Sequence, residues 1–254
     1  MNNWQGMNVW ITGASSGIGR ELATRLAQQG ARVYASARSE QALLALREHG
    51  VEALPCDVTD RGSLRAAAQE LSHRAGHLDV LVANAGTCEY VDAAAFDSGL
   101  VERVFAVNFF GAVYTLEAAL PLLRAGSTRY IVGVGSTAAF NGLPRAEAYG
   151  ASKAALHHFL ESLRVDLTGE GFAVSVVAPG FVETPLTDRN DFAMPMRIGV
   201  GSAVDYMLDG MAARRHLIHF PPVFSWPVRA LQLLPSSLRN RLLQRLVRTR
   251  ENPA

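Results

Sequence analysis

Lysine is almost missing from this sequence. Of the 24 lysine and arginine side chains in 254 residues, all but Lys153 are arginine. A chain that builds its positive charge from arginine keeps a lysine for work that a rigid guanidinium fork cannot do. Cysteine is scarce too. Cys56 and Cys88 sit at no metal-ligand spacing and suggest no disulfide framework, so reduced thiols in a cytoplasmic protein are expected. No apolar run is long enough to span a bilayer. The opening MNNWQGMNVWITG lacks a basic stretch followed by an apolar one, so no signal peptide is expected. The pairs His157/His158 and His216/His219 have no cysteine or acidic cluster beside them at ligand spacing. They read as packing or surface residues, and no metal is expected. A net charge of +1 with 49% hydrophobic residues describes an ordinary globular protein with ample core.

Short β-branched runs alternate with longer helical patterns. NVWIT, ARVYAS, VEALPC, LDVLVA, RYIVGVGS and FAVSVVAP read as strands, followed by a weaker HLIHF. Between them, stretches such as GRELATRLAQQG and GSLRAAAQELSHRAG are apolar at three- and four-residue spacing, with Gly30, Gly50 and Gly76 placed as helix C-caps. This alternation predicts an α/β, doubly wound domain over residues 1–254, with a parallel sheet between two helix layers.

After the first strand comes TGASSGIG, residues 12–19. Gly13, Gly17 and Gly19, with Ser15, Ser16 and Ile18 among them, let backbone reach a pyrophosphate at a helix N-terminus. A carboxylate about 20 residues further on would serve the ribose hydroxyls of NAD. Here Ala37 holds that place and Arg38 follows it, which suits the 2′-phosphate of NADP(H). Glu40 follows Ser39, a helix N-cap, where an acid matches the helix dipole.

Tyr149 stands four residues before Lys153, and on a helix the two share a face. With TGASSGIG, the Tyr149-x-x-x-Lys153 pair and this length, the sequence resembles the short-chain dehydrogenase/reductase family. Further motifs occur in the order of that family: Asp57 in CDVTD, NAG at 84–86, Asn108 in NFFG, Ser136 thirteen residues before Tyr149, and PGFVET at 179–184. Ala83 departs from the pattern, standing where many members have the first Asn of NNAG.

The resemblance implies a seven-stranded Rossmann sheet in the order 3-2-1-4-5-6-7. It makes Tyr149 the acid/base, has Ser136 bond the substrate oxygen, gives Lys153 the nicotinamide ribose, and places Asn108 behind a proton-relaying water. It assigns Asp57 and Val58 to adenine, Ser15 with Arg38 to the 2′-phosphate, and Asn84, Ala85 and Gly86 to the cofactor cleft. Pro179, Gly180, Val182 and Thr184 go to the carboxamide end of the nicotinamide. A free phenol titrates near ~10. An ammonium at ~4 Å, worth about 4 kcal/mol at an effective dielectric of ~20, would lower it by two to three units.

The implied activity is NADPH-dependent interconversion of a carbonyl and an alcohol; the alternative is a non-catalytic NADP(H)-sensing protein on the same fold. Substrate choice is expected in residues 86–98 and 185–215. Phe96, Phe181, Leu186, Phe192, Met194, Met196, Ile198, Met207 and Met211 there favour a hydrophobic substrate. The family commonly forms dimers or tetramers through helices that fall here near 100–124 and 148–168, with His157 or Phe159 facing the partner.

The tail, about 226–250, is basic. From Gly210 to Arg250 there are arginines and no acidic residue. In SLRNRLLQRLVRTR, Leu238, Leu242, Leu243, Leu246 and Val247 oppose Arg239, Arg241, Arg245 and Arg248 on a helix. Such a helix either covers the pocket or a subunit interface, or lies on an anionic membrane surface, which would make the protein peripheral there. Nucleic acid is not expected, since no interleaved aromatics or recognised nucleic-acid fold accompany the charge.

Overall fold

The computed structural model describes residues 4–246. Its centre is one sheet of seven parallel strands: β1 (Asn8–Thr12), β2 (Arg32–Ser36), β3 (Val51–Ala53), β4 (Val80–Ala83), β5 (Tyr130–Val134), β6 (Ala173–Pro179) and β7 (Leu217–Phe220). Their order is β3-β2-β1-β4-β5-β6-β7, as the resemblance implies. The helices are α1 (Gly17–Gln28), α2 (Glu40–Leu44), α3 (Arg61–Ala75), α4 (Ser98–Phe105), α5 (Gly111–Ala125), α6 (Glu147–Leu167), α7 (Val200–Ala212), α8 (Pro222–Ala230) and α9 (Ser236–Gln244).

Side chains alternate across the sheet, so each strand feeds two cores. Val9, Ile11, Val80, Val82 and Val132 pack into one with Leu22 and Leu26 of α1 and Met207 of α7. Trp10, Leu81 and Ile131 pack into the other with Leu71 of α3, Leu116 of α5 and Leu160 of α6. The buried Trp10 indole donates to Ser36 Oγ at 2.9 Å, so its one polar atom is paired within the core. Gly30, Gly50 and Gly76 all take positive φ past the ends of helical segments.

One expectation changes: Met207 and Met211 are fully buried between α7 and the sheet, so they are core and not pocket. Asn108 sits in a π-helical turn, Ala106–Phe110, that joins α4 to α5. The resulting 28-residue rod, Ser98–Ala125, is apolar and long enough to cross a membrane. It instead packs on α3 and α6 and buries Asn108 and Thr115, as a core helix does. In the tail, α8 begins at Pro222 and a 3-10 turn follows at Leu231–Leu233; Pro235 then precedes α9, which falls on the helix expected in SLRNRLLQRLVRTR as far as Gln244. Val247 and Arg248 lie outside the described residues.

Candidate active site

In this strand order β1 is paired with both β2 and β4, so the chain leaves β1 and β4 in opposite directions. A crevice must open at the carboxyl ends of those strands. It is a cavity of ≈ 790 Å³, and every cofactor-cleft residue expected from sequence lines it except Asn108, which stands behind its wall.

The glycine loop closes the crevice from β1. Gly13 has φ +69°, and a Cβ there would sit 2.6 Å from Ala85 Cα, backbone that cannot yield. A Cβ at Gly19 would run into the Asn84 amide and the Gly13 carbonyl. Asn84 explains the tight fit: its Nδ2 donates to Thr12 O at 3.0 Å and Gly13 O at 3.1 Å, tying the end of β4 to the loop. Ser16 is the N-cap of α1, yet its hydroxyl caps nothing and the first turn holds no acid. Free amide hydrogens and the positive end of the dipole therefore face the cavity. This cradle fits a dinucleotide pyrophosphate.

At the adenosine end, Ser15, Ala37, Arg38, Asp57 and Val58 share the wall. Arg38 is exposed and forms no ion pair among the described residues. Asp57 Oδ1 is held by Thr59, which donates its amide at 2.9 Å and its hydroxyl at 2.8 Å. Pro179, Gly180, Val182 and Thr184 line the opposite end, past β6.

Ser136, Tyr149 and Lys153 converge on the cavity between those ends. Ser136 follows β5 and is buried; its Oγ accepts from Ala138 N at 3.1 Å, which leaves its hydrogen for the cleft. Burial pushes the Tyr149 phenol up to about 12, against a smaller lowering by the Ser136 side chain. Burial also pulls Lys153 down to about 8. The expected lowering of the phenol by the ammonium is therefore not what the geometry gives. Lys153 Nζ donates to Val134 O at 2.8 Å and lies 5.9 Å from the centre of the Tyr149 ring. Among the groups that shift Tyr149, the lysine does not figure.

Asn108, fully buried, stands behind the wall. Its Oδ1 accepts from Thr87 N at 2.7 Å, and its Nδ2 donates to Thr87 O at 2.9 Å and Ser152 Oγ at 3.0 Å. The π turn gives this side chain its reach, fastening the strand-β4 loop to α6.

His157 is a packing residue, one of the two readings of its pair, and of the two side chains offered for the subunit face it is the one turned inward. It is buried behind Ser136, where its Nε2 accepts from Ser136 N at 3.4 Å and its ring meets Phe140 edge-on at 5.8 Å. Burial, helped by the Lys153 charge, pulls its pKa down to about 4. Gly135 has no Cβ because the His157 ring occupies that space. The signal was available: Tyr149, Lys153 and His157 repeat at four-residue spacing on one face of α6.

The substrate loops meet over the cleft. Tyr90 Oη donates to Asn190 Oδ1, and its ring packs edge-on against Phe192 at 5.6 Å. Phe192 continues to Phe181 at 6.1 Å, and Phe181 to Phe224 of α8 at 5.3 Å. Arg145 grips Asp191 with bonds of 2.9 and 3.1 Å and covers the Tyr90 ring. Leu186 lines the cleft, Ile198 bridges to Val182, and Met194 meets the Asn190 amide. Phe96 and Met196 are exposed instead. Tyr90 and Phe224, absent from the expected set, complete this aromatic row, in which Phe224 is contributed by α8.

The sequence and fold have known relatives. Residues 7–193 match the family model described as short chain dehydrogenase. An "uncharacterized oxidoreductase" of Myxococcus xanthus (strain DK1622) is 39% identical over 242 residues, covering 93% of this chain and 96% of that protein. A short-chain dehydrogenase of Burkholderia cenocepacia J2315, solved with NADP, superposes with a TM-score of 0.83 at 27% identity, covering 97% of this chain and 100% of that one. A Burkholderia phymatum enzyme of the same class, solved with NAD, gives 0.82 at 25%, covering 100% and 98%. With a family match over most of its length and a Rossmann sheet in the family's strand order, this chain belongs to the short-chain dehydrogenases, oxidoreductases that work with a nicotinamide dinucleotide.

Proposed function

We propose that the protein is an NADP(H)-dependent oxidoreductase that interconverts a carbonyl and an alcohol on a hydrophobic substrate. The observation that carries this reading is the convergence of Ser136, Tyr149 and Lys153 on one cavity wall, with the phenol still protonated at neutral pH. A bound nicotinamide supplies hydride to the carbonyl carbon or takes it back. Tyr149 gives its proton to the carbonyl oxygen as charge develops there, and recovers it in the reverse direction. Ser136 donates a hydrogen bond to the same oxygen, its hydroxyl aimed by the Ala138 amide. Lys153, anchored on the Val134 carbonyl, keeps two further donors for the ribose and the phenolate side of the reaction. Asn108 is a positioning residue, since its bonds hold Thr87 and Ser152. A purely cofactor-sensing protein would need none of this convergence.

Arg38 supports NADP(H), because an unpaired guanidinium at the adenosine end can fork onto a 2′-phosphate where Ala37 stands in place of the carboxylate that would serve the ribose of NAD. The Tyr90–Phe192–Phe181–Phe224 row supports an apolar substrate. The direct test is NADPH oxidation against ketones and aldehydes of increasing chain length, in the native protein and in Tyr149→Phe. Activity should rise with chain length and fall by about 10² or more in the variant, whose NADPH affinity should be unchanged. Activity near normal in Tyr149→Phe would remove the mechanism.

A further inference from the structure

We infer that the outer face of the α8–α9 tail is a docking surface for an anionic lipid bilayer. This goes beyond the proposed reaction and does not depend on it. The tail is fastened down along its inner side. Asn141 Nδ2 donates to Val228 O at 2.7 Å, Gln232 Nε2 to Phe140 O at 2.8 Å, and Ser225 Oγ bonds His219 Nδ1 at 2.7 Å. Its outer side is therefore a fixed surface, and its composition is unusual. Val223, Trp226 and Leu233 are 69%, 57% and 87% exposed.

Arg229, Arg241 and Arg245 stand exposed in the same segment. None of the three is in an ion pair among the described residues. No acidic residue occurs from Gly210 to Arg250. Trp226 leaves a large ring in water beside the unneutralised Arg229, and Arg241 and Arg245 add unpaired cations further along the segment, so this surface lacks its partner.

The chemistry narrows the partner. A second copy of this chain, docked face to face, would set one arginine cluster against another with no acid in either segment, which repels. Nucleic acid would neutralise the arginines but leave Val223, Trp226 and Leu233 uncovered. An anionic bilayer satisfies both demands at once. Lipid phosphates take the guanidinium forks, and the boundary between headgroup and acyl chain takes the indole and the aliphatic groups. Arg229 already lies over the Trp226 ring at 5.7 Å, so cation and indole reach the interface as one unit. From the same helix, Phe224 packs on Phe181.

The test is co-sedimentation of the full chain with vesicles of phosphatidylcholine containing about 30 mol % phosphatidylglycerol, against pure phosphatidylcholine. Binding is expected to the anionic vesicles only, and to be lost on raising salt from about 0.1 to about 0.5 M. The Arg241→Gln/Arg245→Gln variant should bind about 30-fold more weakly, from about 1 kcal/mol per arginine at 1.4 kcal/mol per tenfold. Leu233→Ser, at a site with almost no packing to lose, should cost about tenfold. NADPH affinity and Tm serve as folding controls and should not move in either variant. Absence of binding to anionic vesicles, or binding indifferent to salt and to both variants, overturns the inference. So does an oligomer in sedimentation velocity that Leu233→Ser dissociates, since that would give the face to a second copy.

Discussion

His157 offers the sharpest quantitative test of the site's interior. Its pKa is drawn from 6.5 to about 4 by burial and by the neighbouring Lys153 charge. The folded state thus holds the imidazole neutral through a range where the unfolded chain protonates it. Above pH 6.5 both states carry the neutral ring and nothing is lost. As pH falls from 6.5 toward 4 the unfolded state gains a proton that the folded state refuses, and stability drops by about 1.4 kcal/mol per unit. The full effect is about 3 kcal/mol, or roughly 6 to 12 °C in Tm for a chain of this size.

His157→Gln isolates the effect, because the amide oxygen can still accept from the Ser136 amide while the titrating ring is gone. At pH 7 the variant should be less stable by roughly 1 kcal/mol, the worth of the edge contact with Phe140. At pH 4 it should be the more stable protein. The two curves of denaturant stability against pH should therefore cross between about pH 5 and 6. Comparing the pair cancels the carboxylates, which titrate alike in both. Parallel curves would refute the reasoning, and with it the picture of a neutral histidine bracing Ser136.

Three further outcomes are expected. Arg38→Ala should remove a preference of at least tenfold for NADPH over NADH, read by cofactor titration; equal affinities in the native protein would end the argument for the 2′-phosphate. Gly13→Ala should abolish cofactor binding through its collision with the Ala85 backbone, whereas Gly50→Ala, at φ +77° in open space, should cost only about 1 kcal/mol of strain and leave binding intact. Val165, 70% exposed on α6, and Phe110, 44% exposed beside α5, mark the long-helix face expected to join subunits, so Val165→Asp should shift sedimentation toward monomer; a native monomer at micromolar concentration would contradict this.

The fold was legible because parallel strands buried on both faces must be continuous apolar runs, and the seven runs from NVWIT to HLIHF fall on the seven strands. The cleft was legible for a related reason. Glycines, Asn84 and PGFVET act through backbone positions that follow strand ends, which sequence order determines. What escaped was anything decided by the third dimension. Met207 and Met211 share their spacing with pocket methionines, and only the docking of α7 on α1 and the sheet makes them core. The π turn at Asn108 has no composition signal, and the partners of its amide, Thr87 and Ser152, lie 21 and 44 residues away in sequence. His157 carried a four-residue spacing signal, but its burial depends on Gly135 leaving room on a different strand.

The Tyr149–Lys153 pair shows where such reasoning turns. Four-residue spacing puts two side chains on one helix face, but does not set the distance between a phenol oxygen and an ammonium. That distance is set by a third party, the Val134 carbonyl at the end of β5, which draws Nζ to the cavity floor. With the ammonium held there, burial decides both pKa values, and it moves them apart: the phenol up to about 12, the ammonium down to about 8. Both shifts favour neutral groups, so the site holds the phenolic proton firmly. A phenol that keeps its proton at neutral pH can serve as a donor, which is the role proposed above for Tyr149.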